Sequence, residues 1–180
     1  MSYVEVDLEQ LFEDLPGITQ SLAGTCYEAM IICLEDQHHV SGVTGALHNL
    51  NDLLASLKLV WTRPITEKTR RSWGEARNAV EDAAIGIAYL LIPTFTEYTV
   101  IERANIGDGV DYYLGYKEDA DIFKFQRKAR LEVSGSLAMD HPKGRVNEKI
   151  EQSKRSDRSS LLAYIVVTQF RQPVFYLVQR

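Results

Sequence analysis

Between Gly107 and Gly135 the chain carries two extended segments joined by a polar loop, and each segment holds one carboxylate. The second, Arg127 to Gly135, alternates strictly. Lys128, Arg130, Glu132 and Ser134 fall on one face of a strand, and Ala129, Leu131 and Val133 on the other. The apolar set reads as core and the charged set as the lining of a surface or cleft. In the first segment Asp111, Tyr113 and Gly115 oppose Val110, Tyr112, Leu114 and Tyr116, a near-continuous apolar run that predicts a strand buried on both faces. A carboxylate in such a strand is costly unless it is hydrogen-bonded or bound to a cation. Two acids on adjacent strands can share a metal ion, so Asp111 and Glu132 are the primary candidates for chemistry.

The surrounding chain bounds what that pair can serve. With 180 residues, 45% of them hydrophobic, the chain is long enough for one well-buried core with an extension. Its longest apolar run, Ala83 to Pro93, is too short to span a bilayer, and MSYVEVDLEQ lacks the basic region of a signal peptide, so the expectation is a cytoplasmic protein with no membrane partner. Cys26 and Cys33 lie seven apart on an expected helix, roughly 10 Å by its rise, which forbids a mutual disulfide and reads as two buried thiols.

The net charge of −5 argues against an indiscriminate nucleic-acid binder. Its distribution argues differently. From Lys124 to Arg158, ten basic residues stand against five acids, a local +5 around the carboxylate pair. A phosphate-backbone ligand needs that layout, although a solvated helix face with ordinary loop charges produces it too.

Read in order, the chain opens with an amphipathic stretch, VDLEQLFEDL, ended by Pro16-Gly17. A helix is expected from Thr19 to Gln37 and another from the Ser41 turn to Trp61, the latter on the strength of Leu47, Leu50, Leu53, Leu54, Leu57 and Val60. Thr66 caps a long helix to Ile92, stopped by Pro93. Its acids Glu75, Glu81 and Asp82 read first as exposed salt-bridging groups. His38, His39 and His48 have no ligand partners at metal spacing. The acids between Lys117 and Lys124 lack the glycine-centred pattern of a calcium loop. Glu97 to Arg103 starts a period-two region, followed by the two segments above, a basic helix over Arg145 to Lys154, a very apolar strand over Leu161 to Phe170, and an edge strand over Val174 to Val178. The expected division is an N-terminal helical extension, 1–62, packed on an α/β core, 63–180.

From about residue 66 to 170 the order is helix, three strands, helix, strand, with Asp111 in Gly-Val-Asp on the second strand and Glu132 in Glu-Val-Ser on the third. That arrangement resembles the restriction-endonuclease-like fold of the PD-(D/E)xK nuclease superfamily over a little more than half of the chain. The resemblance implies an α/β (α+β) core with a mixed central sheet, and Asp111 and Glu132 as ligands of Mg²⁺ or Mn²⁺, with Glu81 from the preceding helix as a possible third acid. It also implies hydrolysis of nucleic-acid phosphodiesters, in DNA processing or defence. Ser134 stands where the family carries its lysine. Lys128 is too far along the strand to replace that lysine, Arg130 is a phosphate clamp but a poor base, and Lys149 or Arg145 on the next helix matches members that carry the lysine there. Lys128, Arg130, Arg145 and Lys149 are the expected nucleic-acid contacts.

Two other readings stand beside this one. In one, a catalytically inactive nuclease-fold protein binds nucleic acid or a partner protein through the helices of residues 1–60; separately, the apolar richness of those N-terminal helices makes a homodimer an expectation. In the other, Asp111 and Glu132 are salt-bridged to Arg130 or Arg103 in an interaction module. Carboxyls converging in an open basic cleft favour the nuclease, and a buried bidentate pair with arginine favours the module.

Overall fold

The computed structural model describes residues 3–118, 125–138, 142–154 and 160–180. In chain order these form strand β1 (Val4–Asp7), a 3₁₀ turn (Leu8–Phe12), helix α1 (Gln20–Asp36), strands β2 (Val43–His48) and β3 (Leu53–Val60), and helices α2 (Glu67–Trp73) and α3 (Ala76–Phe95). There follow strands β4 (Tyr98–Arg103), β5 (Tyr112–Tyr116) and β6 (Ala129–Ser136), helix α4 (Pro142–Ser153), and strands β7 (Leu162–Gln169) and β8 (Val174–Gln179). All eight strands join one mixed sheet in the order β1-β3-β2-β8-β7-β6-β5-β4. β4, β5 and β6 form an antiparallel meander, and β7, reached through α4, runs parallel to β6.

Helices α1 and α3 cover one face of the sheet and build the larger core, with Met30, Leu34, Ile87, Leu131 and Val166 all essentially inaccessible. α4 covers part of the other face, where Val146 packs with Ile165, Val167, Tyr176 and Val178. Two glycines set how closely these layers approach. A Cβ on Gly86 would lie 3.1 Å from Cys26 Cβ, so α1 and α3 cross at small side chains. One on Gly135 would lie 2.7 Å from the Val80 carbonyl oxygen and 2.8 Å from Ala84 Cβ, so α3 rests directly on the β6 backbone.

Helix α1 follows its expectation, with the Thr19 hydroxyl accepting from Leu22 N–H at 3.2 Å. Thr66 caps a helix as expected, but the expected long helix is two: Gly74, at φ 71°, ends α2 and α3 starts afresh at Ala76. Pro93 lies inside the last turn of α3 rather than stopping it, and Thr96 N–H closes the helix on Ile92 C=O.

The helix expected over Ser41 to Trp61 is instead the β2–β3 hairpin. Leu57 and Leu59 are buried on either side of half-exposed Lys58, a period of two, and Asn49 Oδ1 accepts from the N–H groups of Asn51 and Asp52 to make the turn. The first sixty residues therefore supply three of the eight strands. β8, expected at an edge, lies between β7 and β2, and the edges are β1 and β4. The described residues contain no helix long and apolar enough to cross a membrane.

The N-terminal segment is tied down by one carboxylate. Glu9 accepts from Thr62 N–H at 2.7 Å, the Thr62 hydroxyl at 2.6 Å and Arg63 N–H at 2.9 Å, with Arg63 Nε at 3.2 Å. The hydrogen bonds, led by the Thr62 hydroxyl, hold its pKa down to about 2. Because the folded pKa lies below the unfolded value of about 4.3, Glu9 contributes stability at neutral pH that is lost as pH falls from there towards 2. Glu9→Gln is expected to lower stability at pH 7 and to flatten the acid limb of a denaturation series run from pH 6 to pH 2. Gly135→Ala should cost about 1–3 kcal/mol in urea denaturation, since the obstructing atoms include helix backbone.

Candidate active site

Strand β5 begins at Tyr112, opposite Leu131, whereas β6 continues from Glu132 to Ser136 with β7 as its only strand neighbour among the described residues. The β5-side edge of β6 is therefore open over those residues. Asp111, the residue before β5, fills the first gap. Its N–H donates to Leu131 C=O at 3.1 Å, and its Oδ2 accepts Val133 N–H at 2.8 Å. Since a strand residue projects its N–H and C=O from the same edge, the Val133 carbonyl faces the gap as well.

Glu132 points to the opposite side from Leu131 and Val133, towards α4, and is 5% exposed. Helix α4 supplies its partner. Val146 anchors the helix in the smaller core with Ile150 packed beside it, and Lys149, three residues after Val146, reaches down to the carboxylates. Its Nζ lies 3.0 Å from Glu132 Oε2 and 3.9 Å from Asp111 Oδ2. Burial, foremost, raises the Glu132 pKa; the hydrogen bond from Lys149 opposes it and the neighbouring Asp111 charge adds to it.

These three groups stand in a cavity of about 690 Å³. Its walls are Val80, Glu81 and Ala84 of α3, the connection from Arg103 to Asp111, residues 132–135 of β6, and Lys149 and Gln152 of α4. Of the residues singled out from the sequence, Asp111, Glu132, Ser134, Lys149 and Glu81 all line it. The others do not. Arg130 is 3% exposed and donates to the carbonyls of Leu161 and Ser153, both at 3.1 Å. Its strand parity matches that of Glu132, but two residues earlier the face is covered by the end of α4 and the entry to β7. Lys128 lies over the Tyr116 ring, 5.6 Å from its centroid. Arg145 is half-buried on α4 and is not among the lining residues. Lys124, Arg155 and Arg158 of the basic segment, and Asp119 and Asp121 of the acidic loop, lie outside the described residues.

Of the lining residues, Gln152 carries no functional signal in the sequence, and Arg103 figures there only as a salt-bridge partner for the two acids. Gln152 extends the α4 wall one turn beyond Lys149, and Arg103 ends β4 directly across the ladder from Tyr112. His39 and His48 are structural in their contacts: His39 Nε2 lies 3.0 Å from Phe170 C=O, and His48 stacks on Tyr176. Both cysteines are buried, and desolvation pushes their thiols up to about 12, which leaves them unreactive in the folded chain.

The described residues hold no group of three or more His, Cys, Asp or Glu side chains placed to bind a metal. The donor set is two carboxylates and the Val133 carbonyl. Oxygen donors of this kind suit Mg²⁺ or Mn²⁺, and Mg²⁺ commonly takes one or two carboxylates and completes its shell with water and substrate phosphate. No protein-family model, no curated protein and no solved structure matches the chain.

The electrostatics of the pair are testable directly. In carboxyl-labelled protein followed by NMR, Glu132 should titrate above the ordinary glutamate value of about 4.3. Lys149→Met should move it further up and Asp111→Asn should bring it down. A raised folded pKa means that stability attributable to Glu132 falls as pH rises from 4.3 through that value.

Proposed function

We propose that the protein is a metal-dependent phosphodiesterase acting on nucleic acid, a divergent relative of the PD-(D/E)xK nucleases. The observation that carries this reading is the meeting of Asp111, Glu132 and Lys149 in one open cavity at an unpaired strand edge. Element order supports it. Helix α3, the β4–β5–β6 meander, α4 and a β7 parallel to β6 follow the pattern that the resemblance implies. So does the identity of the charge partner: the carboxylates pair with a lysine on the cavity wall, not with a buried arginine fork.

Each group then has a role. Asp111 and Glu132, with the Val133 carbonyl, hold Mg²⁺ or Mn²⁺. When bound, such an ion supplies Lewis-acid polarisation of the phosphate and a water of lowered pKa. Asp111 is pre-set for binding by its hydrogen bond to Val133 N–H, which fixes one oxygen in place. Lys149 takes the place of the lysine missing at Ser134. It neutralises the carboxylates in the ion-free site, and its ammonium is placed to offset charge on the phosphate oxygens as water adds to phosphorus and the ester oxygen leaves. Ser134 contributes a hydroxyl to the cavity and no charge. Glu81 is the third acid on the wall.

Purified protein is expected to cut plasmid DNA or structured RNA in Mg²⁺ or Mn²⁺ and not in chelator. Asp111→Ala and Glu132→Ala should each abolish cutting, and Lys149→Ala should lower kcat by about 10²-fold. Cutting that survives both carboxylate substitutions would remove the site from the reaction. Retained nucleic-acid binding with no cutting by wild type would leave a silent binder. Mn²⁺ affinity measured by calorimetry should also weaken as pH falls through the raised Glu132 pKa, because the ligand binds only when ionised.

A further inference from the structure

Cations near the site are nearly all engaged. Lys149 is held by the two carboxylates. Arg127 is bidentate to Glu102 at 2.9 and 2.7 Å and stacked on the Tyr113 ring. Lys117 donates to the carbonyls of Pro93 and Thr96, and Arg130 is buried on two carbonyls. Arg103 differs. It lines the cavity, is exposed, and among the described residues makes no hydrogen bond or ion pair, although Glu81 and Asp111 line the same space.

Its position follows from the β4–β5 ladder. Arg103 pairs with Tyr112, and paired residues present their side chains on one face. Tyr112 is packed edge-on against Tyr89 of α3, ring centroids 5.7 Å apart, so Arg103 belongs to the α3 wall. Lys149 belongs to the α4 wall. The two cations therefore stand on opposite sides of the gap that Asp111 and Glu132 occupy. Two cations so placed suit a ligand that carries more than one phosphate.

Building on the nuclease reading, we propose that Arg103 forms a second phosphate subsite on the α3 wall, which holds the phosphate neighbouring the one addressed by Lys149 and so selects a polynucleotide over a mononucleotide or phosphomonoester. The planar guanidinium suits this role: it stays charged at any working pH and binds phosphate through two parallel N–H donors.

The test uses the full chain, a fluorescein-labelled 16-nucleotide single-stranded DNA, and Ca²⁺ to neutralise the carboxylates. Binding is read by anisotropy from 50 to 200 mM salt. Arg103→Gln is expected to weaken binding about tenfold or more and to reduce the slope of log K against log salt by about 0.7, the loss of one phosphate contact on a single strand. Arg103→Lys should keep the wild-type slope while binding more weakly, a difference that a packing role would not produce. In cleavage assays Arg103→Gln should raise KM more than it lowers kcat, the reverse of Lys149→Ala. Wild-type affinity and slope in Arg103→Gln, with wild-type protein still cutting, would overturn the subsite and leave the nuclease standing. Wild-type protein that neither binds the oligonucleotide nor cuts would overturn both.

Discussion

An unequal strand length underlies the site. β6 outruns β5, and a strand edge left open inside a protein carries backbone groups that must find partners. Asp111 answers that need with a side chain instead of another strand residue, accepting the Val133 N–H that a longer β5 would have taken. The same act immobilises a carboxylate oxygen and leaves the Val133 carbonyl facing open space beside it. The cavity is the volume a longer β5 would have occupied. The placing of these groups is thus a by-product of completing a hydrogen-bond ladder: half-exposed Asp111 takes a backbone partner, and the cost of burying Glu132 is offset by the Lys149 ammonium.

The second constraint is depth. Gly135 lets α3 lie on the β6 backbone, which brings the Val80–Ala84 turn and with it Glu81 to the rim of the gap. On the other face, Val146 fixes α4 in the smaller core so that Lys149, on the same side of the helix, descends to Glu132. Three elements distant in sequence therefore meet at one point because each is set by a packing contact next to the residue it brings to the cavity. Such sites on rigid elements hold their geometry better than sites carried on loops.

Local period was the most readable property of this sequence. The strict alternation of residues 128–134 is the alternation seen in β6, and it placed Glu132 and Ser134 on a face away from Leu131 and Val133. The Asp111–Glu132 pairing was legible because one acid borders and the other lies in short strand segments joined by a loop, which makes neighbours of them. What one strand's pattern does not carry is which element covers each position. Arg130 and Lys128 share parity with Glu132, yet one lies beneath covering backbone and the other over an aromatic ring, so the cation was readable only as a set of candidates that included Lys149. The β2–β3 hairpin was hidden for a different reason: leucines at 47, 50, 53, 54 and 57 also fit a helix, and a short apolar segment is ambiguous by period alone. The turn at Asn49 was the missing discriminator.

The order of the sheet has a consequence for how the chain assembles. β8 sits between β7 and β2 and is the link between the hairpin made from residues 43–60 and the meander that begins at residue 98. During synthesis both blocks leave the ribosome before residues 162–179, the hairpin with its β2 edge open for β8 and the meander with its β6 edge open for β7, on which β8 then docks. The β2 edge waits longest, because its pairing with β8 joins Ala46 to Val174, and pairings of such long sequence separation are slow to form. In that interval the nascent chain carries two sticky sheet margins that a chaperone, or their own brevity, must keep apart.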